Sequence, residues 1–448
     1  MNNIFLDTEQ LRILNWRATS KDIAAVVGPP GCGKTTVGSS LAVKLIAEGL
    51  AKRVLLVAYT NAAANEFGWE LCNILGNTAE KFCVRTGNPT GIDPILNEHI
   101  PFRRHINNIL DKKIVICTTL SLKMLIRNIR FDNIIVDEAG INRIEHILWP
   151  FSCGIDPMAS YKWHNNNEDD NNQNNQIHDL MDLIVKSGVI ATVIGDPKQS
   201  RPISPDRRDY SAIEWIIKRT RSDTLRLSHR LPDQLSGLVN DFAKYGGLRS
   251  APEIASRRLT LEIQPDIEYR DIIQPSEVTT WVDISKGIEE PIGPSSWANE
   301  TEAKACARIC HQLNYVAPKK SIVIITRYTA QKQLIRSYLQ NMGIGDRMKV
   351  TTTTGALGTQ ADIVIFSLVR NNSENNVGAA GTLQDVNVAI SRSKEKLIIL
   401  GNFEMMLNGW TFSSTESRRG NKSPTRELAY LVDHKYGKVV NPPEILSK

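Results

Sequence analysis

The stretch Gly28–Thr36, GPPGCGKTT, joins a glycine-rich turn to a lysine and two hydroxyls. It fits the pattern GxxxxGK followed by Ser or Thr in full, and it lies between an apolar run and a helical pattern, the context this motif requires. Its glycines let backbone N–H groups turn inward around phosphate oxygens, and the start of the helix adds partial positive charge. Lys34 is therefore expected at the β- and γ-phosphates of ATP and Thr35 at Mg2+, with Gly28, Pro29, Pro30, Gly31, Cys32, Gly33 and Thr36 around the phosphates. A second pair, Asp137 and Glu138, follows the apolar run NIIV. A carboxylate at the C-terminal edge of a strand beside the phosphate-loop strand can hold Mg2+ through water, which is the reading for Asp137. Glu138 is expected to orient or deprotonate the attacking water. A lone Asp-Glu pair is usually a solvated strand end; in company with the loop, the catalytic reading wins.

These residues need a rigid frame. Residues 23–28, 53–59, 113–119, 133–139 and 189–196 are short runs rich in Val and Ile that do not alternate polar and apolar. That is how parallel strands buried on both faces look. Between the first two runs lies an amphipathic helix that Gly49 is expected to stop, giving a right-handed strand–helix–strand crossover. The scheme repeats, with strands expected at 278–284, 321–326, 348–352, 361–369 and 396–402 and helices at 300–314, 330–341 and 383–394. The chain therefore reads as α/β, with two similar parallel-sheet domains in tandem, 1–222 and 223–448. Residues 67–112, and 85–110 within them, are poorly patterned and read as a small insertion in the first domain. The polar segment 164–176, HNNNEDDNNQNNQ, cannot bury apolar surface and reads as a surface loop, with Glu168, Asp169 and Asp170 a solvated charge run.

Composition adds bounds. Lys plus Arg is 54 against 48 Asp plus Glu, a net charge of +6, compatible with a polyanion partner without demanding one. With 41% apolar and 23% charged residues, the chain reads as soluble and globular. No apolar stretch is long enough to span a membrane, and the N-terminal residues lack the regions of a secretory signal, so the expected location is intracellular and cytoplasmic. Seven cysteines without paired CxxC spacing argue against a disulfide framework or a zinc site. Cys306 and Cys310 read as buried small residues of a helix.

The order of GPPGCGKTT, VDEAG (136–140) and GDPKQSRP (195–202) resembles the first three core motifs of superfamily 1 helicases. The branch is similar to the nonsense-mediated-decay RNA helicase, with its DNA-helicase and nidovirus-helicase relatives, and the resemblance runs from about residue 7 to 402. It implies two RecA-like P-loop NTPase domains with an ATP cleft between them. LDTEQLRIL (6–14) resembles the Q motif, which implies that Gln10 reads the adenine edge with two hydrogen bonds. VAYTNAAANEF (57–67) and ICTTLS (116–121) look like motifs whose Thr60, Asn61, Thr118 and Thr119 would touch the strand backbone. In GDPKQ, Asp196 and Gln199 would sense the γ-phosphate.

LSHRLPDQLS (227–236) looks like motif IV, which implies that His229 stacks on the base and Arg230 meets phosphate. IITRYTAQKQL (324–334) resembles a strand-contacting segment with Thr326, Arg327 and Tyr328; Arg327 stands in place of a proline, and Tyr328 either stacks on a base or merely packs. TTGALGTQADIVIFSLVRNN (353–372) resembles motif V, with Thr354 toward the strand and Gly358, Thr359 and Gln360 aligned with the family's G-R-E. NVAISRSKEKLIILG (387–401) resembles motif VI and implies that Arg392 is an arginine finger. Three departures stand out: Leu357 where Gln is usual, Gln360 for Glu, and Asn142 one position after the family's usual Gln.

The resemblance implies an ATP hydrolase driven by single-stranded DNA or RNA, moving 5′ to 3′. The first domain would supply Lys34, Thr35, Asp137, Glu138 and Gln199, and the second Arg230 and Arg392. The family's β-barrel ahead of the Q motif is not among these residues. Two readings therefore stay open: a motor that works as a monomer or takes a wedge or targeting from a protein partner, and a non-unwinding ATP-dependent nucleic-acid switch or clamp that recruits partners.

Overall fold

The computed structural model of the chain describes residues 5–89, 91–104, 109–124, 129–154, 184, 188–199, 202, 211–378, 382–411 and 421–444. Residues 164–176, with their Asn-rich composition, lie outside the described residues. Two compact units share the chain: residues 1–197 with 201–226, and residues 198–200 with 227–448.

The first unit is built on seven strands: β1 (Ile23–Val27), β2 (Val54–Ala58), β3 (Cys83–Arg85), β4 (Ile114–Thr118), β5 (Asn133–Val136), β6 (Ala191–Gly195) and β7 (Arg221–Thr224). They form one sheet in the order β3-β4-β2-β5-β6-β1-β7, and every pairing is parallel. The strands β2, β4, β5 and β6 are buried at every residue, as strands covered on both faces must be. Helix α1 (Thr8–Thr19) opens with a reciprocal capping box between Asp7 and Gln10. Helix α2 (Lys34–Ala47) follows β1 and ends before Gly49, whose φ of +69° is the left-handed turn expected of a stop. Helix α3 (Asn61–Leu75) follows β2 and is capped by Thr60.

Three sequence expectations change here. The strand carrying Asp137 is not beside the phosphate-loop strand, because β6 pairs with both β1 and β5 and separates them. The expected insertion is partly integral: Phe67 of α3 is fully buried, and β3 extends the sheet by pairing with β4. Strand β7 spans the boundary expected near residue 222 and pairs with β1.

The second unit is a six-stranded parallel sheet. Its strands are β8 (Thr279–Asp283), β9 (Ile322–Thr326), β10 (Lys349–Thr352), β11 (Ala361–Ser367), β12 (Ser393–Gly401) and β13 (Lys438–Val440), in the order β10-β9-β11-β12-β8-β13. Helix α4 (Glu300–Val316) and helix α5 (Thr329–Asn341) pack their apolar stripes on this sheet in one core with Ile324, Ile363, Ile365 and Leu400. Cys306 and Cys310 are buried on α4, and all seven cysteines are free thiols. Helix α6 (Leu383–Ile390) is shorter than the expected 383–394, because Ser393 already begins β12, whose Leu397–Leu400 are fully buried. An antiparallel hairpin, Glu289–Ile292 with Ser296–Asn299, precedes α4. The two units are RecA-like domains in tandem. Among the described residues, no helix is long and apolar enough to cross a membrane.

Candidate phosphate and strand sites

The phosphate loop takes its shape from two directions. Gly31 and Gly33 have φ of +75° and +72°, which L side chains rarely adopt. At Gly33 space is also lacking, since a Cβ would lie 2.4 Å from Gln10 Nε2. Gln10 is buried; its Nε2 donates to the Cys32 carbonyl at 3.1 Å, and its Oε1 accepts from the Asp7 amide at 3.1 Å. Both ends of the Gln10 amide thus hold the loop and cap α1, where an adenine contact was expected. Lys34 folds back over Gly28, and its Nζ donates to the carbonyls of Gly28 at 2.6 Å and Pro29 at 3.3 Å.

Thr35 and Asp137 meet as expected although β6 stands between their strands: Thr35 Oγ1 donates to Asp137 Oδ2 at 2.9 Å. Burial pushes the Asp137 carboxyl above its ordinary range, while the charge of Lys34 and the hydrogen bonds from the Glu138 amide and Thr35 pull it down. A hydroxyl and a carboxylate are hard oxygen donors, and Mg2+ commonly takes one or two protein oxygens besides water and phosphate. The pair fits Mg2+. Asp137 directs its Oδ1 to the Glu138 amide at 2.7 Å, and Glu138 itself has a φ of +54°. Gly195 at the end of β6 seals this corner, with its carbonyl accepting from Gly28 N at 3.0 Å. Thr36, expected around the phosphates, turns its hydroxyl to Glu70 on α3 at 3.2 Å.

The residues expected along a strand divide sharply. Thr60, Asn61 and Thr118 line one cavity of about 540 Å3, together with Tyr59, Arg104 and Ser121, at the C-terminal ends of β2 and β4. The hydroxyl of Thr60 caps α3 through the Ala63 amide at 3.1 Å and donates to Glu138 Oε2 at 3.3 Å. Thr118 is bonded to Ser121 at 2.7 Å. Thr119 does not join the cavity lining: it is buried and bonds the Ala58 carbonyl at 3.3 Å and Asn142 at 3.4 Å. Sequence reasoning missed Arg85. It is buried, its Nη2 donates to Asn61 Oδ1 at 2.9 Å, and burial lowers its pKa. Nothing in the run VRTGN marks that role.

In the second unit the arginines have company. Arg230 Nε donates to Gln360 Oε1 at 3.1 Å, and its Nη1 donates to the Ser391 carbonyl at 3.3 Å. Arg392 lies in the turn between α6 and β12; its Nε donates to the Val388 carbonyl at 3.0 Å and its Nη2 to Gln199 Oε1. Gln199, expected with the first domain, is grouped with the second unit. Four separate motifs thus supply two hydrogen-bonded pairs, Arg230 with Gln360 and Arg392 with Gln199. His229 is paired with Glu253 at 3.1 Å, Gly358 supplies a left-handed turn at φ +71°, and Thr359 accepts from Lys349 at 2.9 Å.

The second unit's expected strand contacts are mostly sealed. Thr326 is fully buried at the end of β9, so its side chain cannot reach a strand at the surface. Tyr328 packs, against Val369 and Trp297. Arg327 is paired with Asp385 at 3.2 Å, where a phosphate contact was expected. Thr354 remains exposed. Behind them lies a buried polar network that sequence reasoning missed. Glu302 accepts from Ser367 Oγ at 2.7 Å and from the Val369 amide at 2.9 Å, with Val369 at a φ of +73°. Arg370, beside it, pairs with Glu289 at 2.8 Å and lies 4.3 Å from the centre of the Trp297 ring.

A glycine-rich loop at a helix start, with a hydroxyl–carboxylate pair at the end of a parallel sheet, defines a P-loop NTPase fold. Two AAA domain family models match the chain, at residues 5–107 and 209–404. The DNA replication ATP-dependent helicase/nuclease DNA2 of Saccharomyces cerevisiae is 25% identical over 417 residues, covering 89% of this chain and 26% of that protein. The ATP-dependent helicase upf1 of Schizosaccharomyces pombe is 22% identical over 407 residues, covering 86% of this chain and 43% of that protein. Among solved structures, the arterivirus nonstructural protein 10 helicase aligns with a TM-score of 0.43 at 15% identity, covering 86% of this chain and 61% of that one. The chain belongs to the superfamily 1 helicases related to the DNA2 and upf1 proteins. It spans 26% to 36% of the length of the DNA2 relatives of S. cerevisiae, S. pombe and Xenopus laevis.

Proposed function

We propose that this chain is an ATP-dependent helicase or translocase that moves on single-stranded DNA or RNA in the 5′ to 3′ direction. The observation that carries the reading is that the phosphate loop, the Thr35–Asp137 pair and the cavity lined by Thr60, Asn61 and Thr118 lie along the C-terminal edge of one parallel sheet. Each residue has a part. Lys34 binds the β- and γ-phosphates, and the inward-turned amides of the loop orient them. Thr35 and Asp137 would hold Mg2+, which neutralises charge developing on the phosphoryl oxygens. Glu138 orients water for in-line attack and takes its proton. Hydrolysis also requires Arg230 and Arg392, whose guanidinium charge stabilises the γ-phosphoryl oxygens in the transition state. Gln199 reports phosphate state to the arginines through its bond to Arg392.

One observation favours a second reading. With Thr326 buried, Tyr328 packed and Arg327 paired to Asp385, the second unit offers a thinner grip on a strand than the motifs imply. A clamp that binds nucleic acid under ATP control, without unwinding, needs only one firm grip.

The test is the ATPase rate of the purified protein with and without single-stranded DNA and RNA, beside Glu138→Gln. Strong stimulation by one polymer, lost in the variant, is the expected result and names the track. A rate indifferent to both polymers overturns the motor. Tailed duplexes then separate the readings: displacement from a 5′ tail fits the motor, and ATP-dependent binding without displacement fits the clamp.

A further inference from the structure

We propose that Thr60 is a positioning residue that holds Glu138 in a resting orientation and releases it when a strand occupies the neighbouring cavity. The inference rests on the reading of the cavity as a strand site and of Glu138 as the group that takes the proton from water.

Thr60 stands at the junction of two sites. Its hydroxyl oxygen accepts from the Ala63 amide, and its hydrogen goes to Glu138 Oε2 at 3.3 Å. The residue also lines the cavity, between Tyr59 and Asn61. One rotor therefore touches both the carboxylate and the space where a strand backbone would lie. A carboxylate that accepts the Thr60 hydrogen is aimed at that hydroxyl instead of at water. Glu138 is also short of freedom to reorient by its backbone, since its φ of +54° leaves it in the narrow left-handed basin. Its response must come from the side chain, which would turn away from the Thr60 hydroxyl.

The second part of the device is Asn61, which opens α3 and is held from behind by Arg85. Phosphate or sugar oxygens bound at Asn61 and Thr118 would compete for the Thr60 hydrogen and draw it away from Glu138. Strand binding and proton transfer are then linked through a single hydrogen bond inside one unit. Any such equilibrium coupling is reciprocal, so nucleotide binding alters strand affinity as well.

The experiment measures kcat, the KM for ATP and the affinity for a single-stranded oligonucleotide in wild type, Thr60→Val, Thr60→Asp and Thr60→Ser. Valine keeps the shape but removes the hydrogen. It is expected to raise the strand-free kcat by about tenfold, the rate equivalent of one hydrogen bond to a charged group, and to shrink stimulation by the strand correspondingly. The KM for ATP and the strand affinity are read beside kcat, and serine restores the wild-type ratio. Valine also removes the cap of α3, so aspartate guards against a folding failure: it caps well, has no hydrogen to donate, and repels Glu138. It should raise the strand-free rate as valine does. If both variants keep the wild-type ratio, the link is wrong while the motor stands. If they lose strand affinity at an unchanged strand-free rate, Thr60 is a plain strand contact and the proposal fails. If wild type itself is not stimulated, the motor reading fails and takes the inference with it.

Discussion

The two units are built on the same scheme, yet under the proposed function they would meet phosphate in opposite ways. In the first, the site is mostly backbone: glycines at φ +75° and +72°, a helix start, and a short list of hydroxyl and carboxylate groups. In the second, the C-terminal end of β8 leads into a hairpin instead of a glycine loop, and the charge comes from two arginines braced by side-chain amides and carbonyls. Parallel sheets place loops at one edge, and the loops decide the chemistry. The difference teaches that the first unit's site is fragile to shape, and the second's to the loss of particular charges.

Arg392→Ala gives the largest expected effect. A transition-state arginine contributes about a thousandfold or more to kcat, so the variant should lose that much while its ATP affinity changes little. Equal losses in kcat and affinity would mean that Arg392 serves ground-state binding, and the contrast between the units would blur. Gly33→Ala comes next. The new Cβ meets Gln10 Nε2 at 2.4 Å in a left-handed backbone, so ATP affinity should fall by about tenfold or more in a titration with a fluorescent analogue. Gly343→Ala is its control in the second unit. That residue has a φ of +71° and nothing within 4 Å of its missing Cβ, so only stability should drop, by about 1 kcal/mol in urea unfolding.

A prediction of another kind concerns pH. Burial pushes the Glu302 carboxyl up to about 8, against the hydrogen bonds of Ser367 and Val369 and from an ordinary value of 4.5. Between those values the folded unit holds a proton that the unfolded chain has lost. Its stabilisation is complete below about 4.5 and is lost as pH rises through about 8. Glu302→Gln should flatten this decline when urea unfolding is compared at several pH values across that window. An unchanged slope in the variant would place the pH dependence elsewhere.

Much of this was legible because buried parallel strands write themselves as Val- and Ile-rich runs. All ten runs became strands, and GPPGCGKTT runs from the end of β1 into the start of α2, the setting its pattern requires. What failed was neighbourhood. Sequence order does not say that β6 lies between β1 and β5, since the crossovers that join parallel partners have no fixed upper length. Nor does residue type reveal burial: Thr326 looks like a surface contact but is tucked inward at the end of β9, and Tyr328, open to stacking or packing in the sequence, is buried. Arg85 and Glu302 were invisible for a related reason. Charged residues read as solvated until the partners that satisfy them, Asn61 or the Val369 amide, arrive from far along the chain.

The place of β1 in its sheet also bears on how the protein is born. This strand, Ile23–Val27, is synthesised well before its two neighbours, Ala191–Gly195 and Arg221–Thr224. Until those residues are made, both hydrogen-bonding edges of an apolar strand stand open, an invitation to wrong pairing. The phosphate loop hangs from the end of that strand. The first strand of this unit is therefore among the last to be seated, and the phosphate loop at its end is framed only once Arg221–Thr224 has left the ribosome. Folding yield of the first unit should then be set less by stability than by how well Ile23–Val27 is shielded while it waits.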